Sequence, residues 1–456
     1  MVNSSAQNPQ VAPGGPTVRI GCGSGYAMDR LQPAIDLAAS GEVDYLAFDM
    51  LAERTLAQAQ MRKNVDPATG YNPELIPIIR AMAPFVDRGV KIIGNFGAAN
   101  VPSALSATVE ALRENGVRNR VVAAIHGDDA LDALRDLDPE IPDLGVSLSE
   151  LGERVVSANF YLGSEYIIEA LRQGASWVLG GRIADAALFA APVCHEFGWS
   201  LDDHDRVAHA TLVGHILECS TQATGGYFAD PPRRVVPDLH RMGFPMALVR
   251  DGDMTITKLP GTGGIVDHRT VGLQVPYEVH DPSAYLTPDV TADFSQVTCV
   301  DEGPDRVLVS GARGRAKPSK VKVLVGVKLG HRVTAEIGYA ASGCVGRARL
   351  AADTHRESVR YVDDQISEIR YEVVGLNALV GDRFESPDPA EVRLRMAAHC
   401  TTEAAARSLA TEFDRLYIHG PAGGGGVVSD VKSMIGVYPV YVDAGLVEQR
   451  LELVES

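Results

Sequence analysis

The sequence predicts an α/β fold, with a parallel or mostly parallel sheet and flanking helices in the N-terminal part and a mixed α+β unit after it. In the first part, short apolar segments repeatedly end in glycine or polar residues and are followed by helical stretches. In the second part, strand-like alternation of apolar and polar residues dominates. Because parallel sheets bind ligands at the carboxyl ends of their strands, we expect a site in the first part.

The first part contains predicted strands that each end at a glycine or polar cluster. They are Val18–Ile20, Tyr45–Phe48, Ile92–Ile93, Val121–Ile125, Val156–Tyr161 and Trp177–Leu179. Helical periodicity is found in Leu31–Ala39, Pro73–Asp87, Pro102–Glu114, Glu165–Arg172, Ala184–Phe197 and Ala208–Gln222. Further along, Asp251-Gly252-Asp253 predicts the turn of a hairpin.

The second part combines further strands with two helices. The predicted strands are Val297–Val300, Arg306–Ser310, Val321–Leu329, Arg332–Ala340, Tyr371–Val374 and Leu416–His419, and the helices are Val345–Val362 and Glu403–Phe413. We therefore expect a disordered tail over residues 1–16, an α/β domain over 17–268 and an α+β domain over 269–456.

Composition excludes several classes of function. The net charge of −17 argues against nucleic acid as a partner, because a phosphate backbone is bound through an excess of Lys and Arg. No segment has the length and apolarity of a membrane span, and the N-terminus lacks the apolar core of a signal peptide. The six cysteines are scattered, which is typical of buried thiols in a cytoplasmic protein. The densest basic segment, Arg313–Lys328, is interpreted as a solvated strand surface.

The glycine-rich segment Gly21–Gly25 follows the first predicted strand. Its glycines let backbone N–H groups approach an anion, so Gly23 and Ser24 are candidate substrate-binding residues. The spacing is not GxGxxG, which disfavours a dinucleotide site. Asp29 and Arg30 come directly after the segment, and they form either an ion pair at a helix start or a clamp on a ligand.

Polar residues also follow the next predicted strands. Asp49 and Glu53 lie one helical turn apart, as either a catalytic acid–base pair or ordinary charges at a helix N-terminus. Asn95 follows the third strand and is a candidate substrate-binding residue. His126 is a candidate general base, with Asp128 or Asp129 either orienting it or only capping a helix.

The sharpest local pattern is Gly180-Gly181-Arg182 with Asp185. The planar guanidinium of Arg182 suits a carboxylate or phosphate, while Asp185 is close enough in sequence to move protons or to form an internal pair with it. In the second part, Gly424 and Gly425 belong to a glycine run whose backbone N–H groups are candidates to hold an oxyanion.

A metal site is the weaker of two interpretations of the histidine-containing helices. His215 and Glu218 are three residues apart, on one helix face, and His195 is a possible third donor. The preferred interpretation is a buried His and Glu bonded to each other. We therefore predict no metal and no cofactor, although the sequence alone does not exclude metal binding by His195, His215 and Glu218.

Many segments resemble the acyclic terpene utilisation protein family AtuA. They are Ile20–Arg30, Asp44–Leu46, Leu51–Thr55, Gly180–Asp185, His195–Trp199, Gly214–His215, Gly226–Phe228, Gly261–Gly264, Tyr277–Pro282, Tyr285–Asp289, Ser310–Gly314 and Gly420–Gly426. The similarity extends over about residues 17–450. It implies a place in catabolism whose later steps use acyl-CoA thioesters, but no assigned reaction. Many family members carry a C-terminal ferredoxin-like domain that this chain is expected to lack, which makes a separate small subunit an expected partner.

Together these patterns predict a cytoplasmic, homo-oligomeric enzyme without redox chemistry. Its substrate is expected to be a small carboxylate or an acyl-CoA-type thioester, and its reaction that of a hydratase, a lyase or a hydrolase. Arg182 would anchor the substrate, and His126, Asp49 or Glu53 would move protons. The alternatives are a non-catalytic subunit or scaffold of an acyl-CoA pathway and a metal-dependent hydrolase.

Overall fold

The computed structural model describes residues 16–381 and 389–456, which form two compact units. Unit 1 comprises residues up to Glu150, Val156–Val325 and Val437–Ser456, and unit 2 comprises Leu151–Val155 and Gly326–Gly436. Of the expected tail, residues 1–15 lie outside the described part. The expected boundary at 268/269 falls inside unit 1, because strands on both sides of it pair in one sheet.

The strands, numbered in chain order, include five that have only two or three residues and two that exceed eighteen. They are β1 (Val18–Ser24), β2 (Tyr45–Phe48), β3 (Lys91–Gly94), β4 (Val121–His126), β5 (Glu140–Ile141), β6 (Val146–Ser147), β7 (Val155–Phe160), β8 (Ala175–Gly180), β9 (Pro245–Val249), β10 (Met254–Lys258), β11 (Tyr285–Leu286), β12 (Thr291–Asp293), β13 (Thr298–Gly303), β14 (Arg306–Ser310), β15 (Arg313–Arg315), β16 (Lys320–Ala340), β17 (Ile366–Val374), β18 (Glu391–Cys400), β19 (Gly425–Asp443) and β20 (Arg450–Glu455).

The α-helices mostly follow strands of unit 1. They are α1 (Gln32–Ser40), α2 (Glu53–Val65), α3 (Leu75–Asp87), α4 (Val101–Glu114), α5 (Leu131–Leu137), α6 (Leu148–Leu151), α7 (Glu165–Arg172), α8 (Asp185–Phe197), α9 (His204–Leu217), α10 (His268–Gln274), α11 (Cys344–Ser358), α12 (Glu403–Asp414) and α13 (Leu416–His419). None of the described helices is long and apolar enough to cross a membrane.

A ten-stranded sheet forms the centre of unit 1, in the order β13-β14-β10-β9-β1-β2-β3-β8-β4-β20. The segment β1-β2-β3-β8-β4 is parallel, whereas β9, β10, β14, β13 and β20 pair antiparallel with their neighbours. All four residues of β2 are buried, as expected for a parallel strand that is covered on both faces. The predicted α/β class with a mostly parallel central segment is therefore confirmed.

One predicted parallel strand does not join this sheet. β7 pairs with β16, and the N–H of Tyr161 donates to the carbonyl oxygen of Lys322 at 3.1 Å. The positions next to β4 are filled by β8 on one side and β20 on the other. The expectation that Val156–Tyr161 belongs to the parallel sheet is wrong, because β7 finds no free edge there.

Helices α8 and α9 pack closely against each other. α8 starts at Asp185 and ends where Gly198 takes a left-handed φ of 64°. Asp203 caps α9 by accepting from the backbone N–H of Arg206. A Cβ added to Gly214 would lie 2.2 Å from the carbonyl oxygen of Ala186, so glycine allows the end of α9 to pack closely on the start of α8.

Unit 2 has its own sheet and its own core. β18 pairs antiparallel with β17 and with residues 331–340 of β16, and α11 and α12 pack on this sheet. Ala351, Leu394 and Phe413 are among the buried residues between helices and sheet. The predicted strand Leu416–His419 is wrong, because this segment is the short helix α13, which follows α12 almost without interruption.

Candidate functional site

Unit 1 contains a pocket of about 540 Å³. Glu53 begins α2 after β2 and Asp185 begins α8 after β8, so the pocket opens where parallel strands end. Its polar lining consists of Glu53, Tyr161, Asp185, Thr211, Glu218, Glu278, Tyr285, Thr287, Asp289, Lys320, Lys322 and Tyr441. Its apolar lining includes Ala186, Leu286, Pro288, Pro318 and Val321. The volume and mixed lining are those of a small-molecule site.

Arg182 lies behind the pocket wall and does not line it. Its side chain is only 1% exposed, and its guanidinium donates to the carboxylate of Asp185 at 2.5 Å and to the carbonyl oxygen of Leu51. The guanidinium carbon also lies 4.2 Å from the centroid of the Tyr161 ring. Of the two interpretations that the sequence left open, the geometry favours the internal pair. Arg182 holds Asp185, which lines the pocket, while Arg182 itself is not among the lining residues.

Asp49 and Asn95 form a second buried pair beside this one. The Asn95 side-chain amide donates to Asp49 at 2.7 Å, while its oxygen accepts from the backbone N–H of Met50 at 2.6 Å. Burial raises the pKa of Asp49 well above its ordinary value, and the nearby Asp185 raises it further. Neither Asp49 nor Asn95 is among the residues that line the pocket.

Glu53 forms a polar group with Tyr161 and Lys322 on the pocket wall. The Tyr161 hydroxyl donates to Glu53 at 2.8 Å, and the Lys322 ammonium lies 3.6 Å from the same carboxylate and 4.7 Å from the Tyr161 ring centroid. Burial raises the pKa of Glu53, but hydrogen bonds from its own backbone N–H and from Tyr161, together with the charges of Arg182 and Lys322, lower it more. Glu53 is therefore held as an anion, which favours positioning of Lys322 over proton transfer.

Glu218 and His215 lie at the end of α9, beside the pocket. The Nε2 atom of His215 is 3.1 Å from the carbonyl oxygen of Val275, so Nε2 carries the proton, and Nδ1 is 3.4 Å from Oε1 of Glu218. Oε2 of Glu218 is buried and has no hydrogen-bond partner among the described residues. Burial raises the pKa of Glu218 to about 7, although His215 lowers it.

The pKa of His215 is raised as well. Burial alone would lower it, but the interaction with Glu218 outweighs that effect. His215 also contacts the rings of Tyr285 and Phe294, at centroid distances of 5.2 and 5.6 Å. The pair thus retains a proton in a largely apolar surrounding.

The glycine-rich segment shapes this region but does not line the pocket. The Ser24 hydroxyl donates to the carbonyl oxygen of Asp49 at 3.0 Å. A Cβ on Gly23 would lie 2.5 Å from the Phe48 ring, and one on Gly25 would lie 2.8 Å from the carbonyl oxygen of Glu218. These glycines allow β1 to pack against β2 and against the chain at Glu218.

Asp29 and Arg30 have separate local roles. The Asp29 carboxylate accepts from the backbone N–H groups of Gly25 and Arg30, at 2.9 and 2.8 Å. The Arg30 side chain donates to the carbonyl oxygen of His240 at 2.8 Å. These contacts brace loops, and neither side chain lines the pocket.

His126, Gly424 and Gly425 are not among the residues that line the pocket. Nε2 of His126 lies 3.0 Å from Glu452 of β20, and burial lowers the pKa of this histidine. Asp128, its expected orienter, instead accepts from the Arg182 backbone and from Asn159, both at 2.9 Å. Gly424 and Gly425 belong to unit 2.

Helices α8 and α9 pack against each other, but His195 and His215 lie at opposite ends of the pair. His195 is near the end of α8, beside Glu196, which accepts from the Tyr45 hydroxyl at the start of β2. Within residues 16–381 and 389–456, no group of three or more His, Cys, Asp or Glu side chains is arranged to hold a metal ion.

Sequence reasoning missed several lining residues. Tyr161 and Lys322 meet because β7 pairs with β16, while Glu278 lies in the connection between α10 and β11 and Tyr285 begins β11. A signal existed for Lys322, since Lys320 and Lys322 alternate with buried Val321 in a basic strand. Alternation predicts a common face for the two lysines, but not that this face lines a pocket.

Comparison with known proteins identifies one family. No curated protein and no solved structure matches the chain. The family described as acyclic terpene utilisation family protein AtuA matches residues 18–453, which is nearly the whole sequence. The resemblance inferred from the motifs is therefore confirmed, and the chain belongs to the AtuA family.

Proposed function

We propose that the protein is a non-redox enzyme that moves a proton next to the carbonyl group of a small carboxylate or an acyl thioester. Hydratases, lyases and many carbon–carbon bond-cleaving enzymes share this step. The observation that carries the proposal is Glu218, a buried carboxyl group on the pocket wall whose Oε2 has no partner among the described residues.

Glu218 is suited to act as the proton donor. With a pKa raised to about 7, a large fraction of its carboxyl groups is protonated near neutral pH. An acid with a pKa near the working pH transfers protons most effectively. Because His215 occupies the side of Oε1, the free Oε2 is the atom that would donate to a substrate carbonyl oxygen.

The positive charge on the pocket wall comes from Lys320 and Lys322. They are the lysines among the lining residues, and the pocket has no lining arginine. A substrate carboxylate, or the phosphates of an acyl carrier, would be attracted to them. Lys322 is held near the pocket by Tyr161 and Glu53, so this charge is positioned before a substrate binds.

Two hydrogen-bonded pairs next to the pocket involve residues that do not line it, namely Arg182, Asp49 and Asn95. Arg182 orients Asp185, and Asn95 orients Asp49. Burial raises the pKa of Asp185, and the charges of Glu53 and Glu278 raise it further, although Arg182 lowers it. A preorganised polar surrounding of this kind supplies much of the catalysis in proton-transfer enzymes.

Hydrogen–deuterium exchange at carbon tests the proposal without knowledge of the complete reaction. The protein is incubated in D₂O with acetyl-, butanoyl- or acetoacetyl-coenzyme A, or with acetoacetate, and mass spectrometry follows deuterium at the carbon next to the carbonyl group. We expect exchange in the wild type and a loss of at least about 100-fold in Glu218→Gln. His126→Gln is the matched control and should exchange normally.

Binding of these compounds without any exchange would contradict the proposal and favour a binding subunit.

We further propose that the protein is a cytoplasmic homo-oligomer. Fully exposed Tyr227 and largely exposed Met28 in unit 1 support association. Sedimentation of the purified protein should give the mass of two or more chains of 48.6 kDa each. A single species of 48.6 kDa would contradict the proposed homo-oligomer.

A further inference from the structure

The pocket wall contains a turn whose backbone is unusual for its sequence. The N–H of Val279 donates to the carbonyl oxygen of Pro276 at 3.2 Å, so Pro276–Val279 closes a four-residue turn. Glu278 occupies its third position with a φ of +58°. The second position, Tyr277, is not among the residues with positive φ. A turn with positive φ only at the third position strongly prefers glycine there.

A glutamate at this position therefore costs stability. The left-handed conformation brings its Cβ close to the backbone, and glycine avoids this contact. Strain of this kind persists where the surrounding structure or a function requires the side chain. The glutamate side chain packs into no core, since the residue is exposed, yet it lines the pocket.

Glu278 is close enough to the proposed proton donor, Glu218, to act on it electrostatically. Its charge acts on Glu218 and Asp185, on the Tyr285 hydroxyl and on the Cys219 thiol. Glu218 is buried beside His215, whereas Glu278 is exposed on the pocket wall. Two carboxyl groups in such different surroundings are suited to opposite roles in proton transfer.

We propose that Glu278 is the catalytic base of the proton transfer and that the strained turn serves to hold its carboxylate in the pocket. This inference rests on the proposed function. The Glu278 carboxylate takes a proton from the carbon next to the substrate carbonyl group. The electron pair of that C–H bond forms the carbon–carbon double bond of an enol, and the carbonyl oxygen receives the proton of Glu218. The reverse steps return a proton or a deuteron to carbon.

Two substitutions separate the charge from the strain. Glu278→Gln keeps the strained backbone and removes the base, so exchange into butanoyl-coenzyme A should fall at least about 100-fold while the melting temperature stays unchanged. Glu278→Gly removes both, so exchange should fall equally and the melting temperature should rise by about 1–4 °C. Asn119→Gly is the matched control, because Asn119 has a φ of +56° and does not line the pocket. It should raise the melting temperature without changing exchange.

The outcomes distinguish this inference from the proposed function. Exchange in the wild type that survives within about 3-fold in Glu278→Gln overturns the base assignment and leaves the proposed function standing. Glu278→Gly that melts no higher than the wild type overturns the role of strain. Absence of exchange in the wild type itself overturns the proposed function and the base assignment together.

Discussion

The carboxylate of Asp185 lies 2.5 Å from the guanidinium of Arg182, and this guanidinium is almost completely buried. A buried charge without its partner is strongly destabilising, because neither water nor another ion compensates it. Loss of Arg182 would remove the positive charge that lowers the pKa of both Asp185 and Asp49. The main effect of this arginine is therefore on the folded state and on the direction of Asp185.

We expect Arg182→Met to lower the free energy of unfolding by about 3–5 kcal/mol, measured by urea denaturation. The matched control is Arg172→Met, since Arg172 is 60% exposed in its pair with Glu169 and should cost less than about 0.5 kcal/mol. A variant of Arg182 with wild-type stability but weakened substrate binding would show instead that this arginine anchors the substrate.

Lys322 should govern the affinity for anionic substrates. Lys322→Gln is expected to weaken binding of butanoyl-coenzyme A about tenfold, or about 1.4 kcal/mol, as measured by calorimetry. The difference should shrink as salt is added, because screening weakens charge attraction. Lys328→Gln on the same strand is the control, since Lys328 is exposed and does not line the pocket. Equal affinities of the two variants would speak against Lys322 as the anion-binding group.

The contribution of Glu218 and His215 to stability should fall as the pH rises towards neutrality. The pKa of Glu218 is raised from 4.5 to about 7 in the folded protein, so between these values the folded state holds a proton that the unfolded state has released. The raised pKa of His215 acts in the same direction. The proton-linked stabilisation is complete below about pH 4.5 and is lost as the pH rises through about 7.

Melting temperatures of the wild type and of Glu218→Gln, compared between about pH 5 and pH 8, test this linkage. The glutamine variant should lose less stability over this range, because it cannot release the proton. Parallel curves for the two proteins would show that Glu218 does not titrate there.

Gly25 should tolerate no side chain. The Cβ of Gly25→Ala would lie 2.8 Å from backbone atoms of Glu218, Cys219 and Ser220. Backbone atoms cannot relieve this contact by a change of rotamer, as a side chain can. We expect a loss of about 1–3 kcal/mol in unfolding free energy and reduced deuterium exchange as Glu218 is displaced. Gly346→Ala is the control, because nothing lies within 4 Å of its added Cβ in helix α11. It should stabilise by up to about 1 kcal/mol.

Local patterns were sufficient for the strand ends of unit 1. Apolar segments followed by polar residues correctly located the ends of β2 and β8, and hence Asp49 and Asp185, because strand period and chain direction are local properties. The hairpin β9–β10 also followed from its turn residues. The expected roles of these residues stay predictions.

Partners distant in sequence could not be found in this way. His126 has the position of a catalytic base until β20 pairs with β4 and brings Glu452 to it. Likewise, the meeting of Tyr161 with Lys322 depends on which edge β7 occupies. Pairing between strands that are distant in sequence depends on all the available edges of a sheet, and it cannot be predicted from a local pattern of residues.

The place of β20 in the chain has a consequence for biosynthesis. This strand completes the sheet of unit 1 beside β4, but it follows the whole of Gly326–Gly436 in the sequence. While the ribosome is still making that segment, the outer edge of β4 has no partner and offers unpaired backbone groups to any other extended chain. We therefore expect unit 1 to be prone to aggregation, and to bind chaperones, until β20 has been synthesised and pairs with β4.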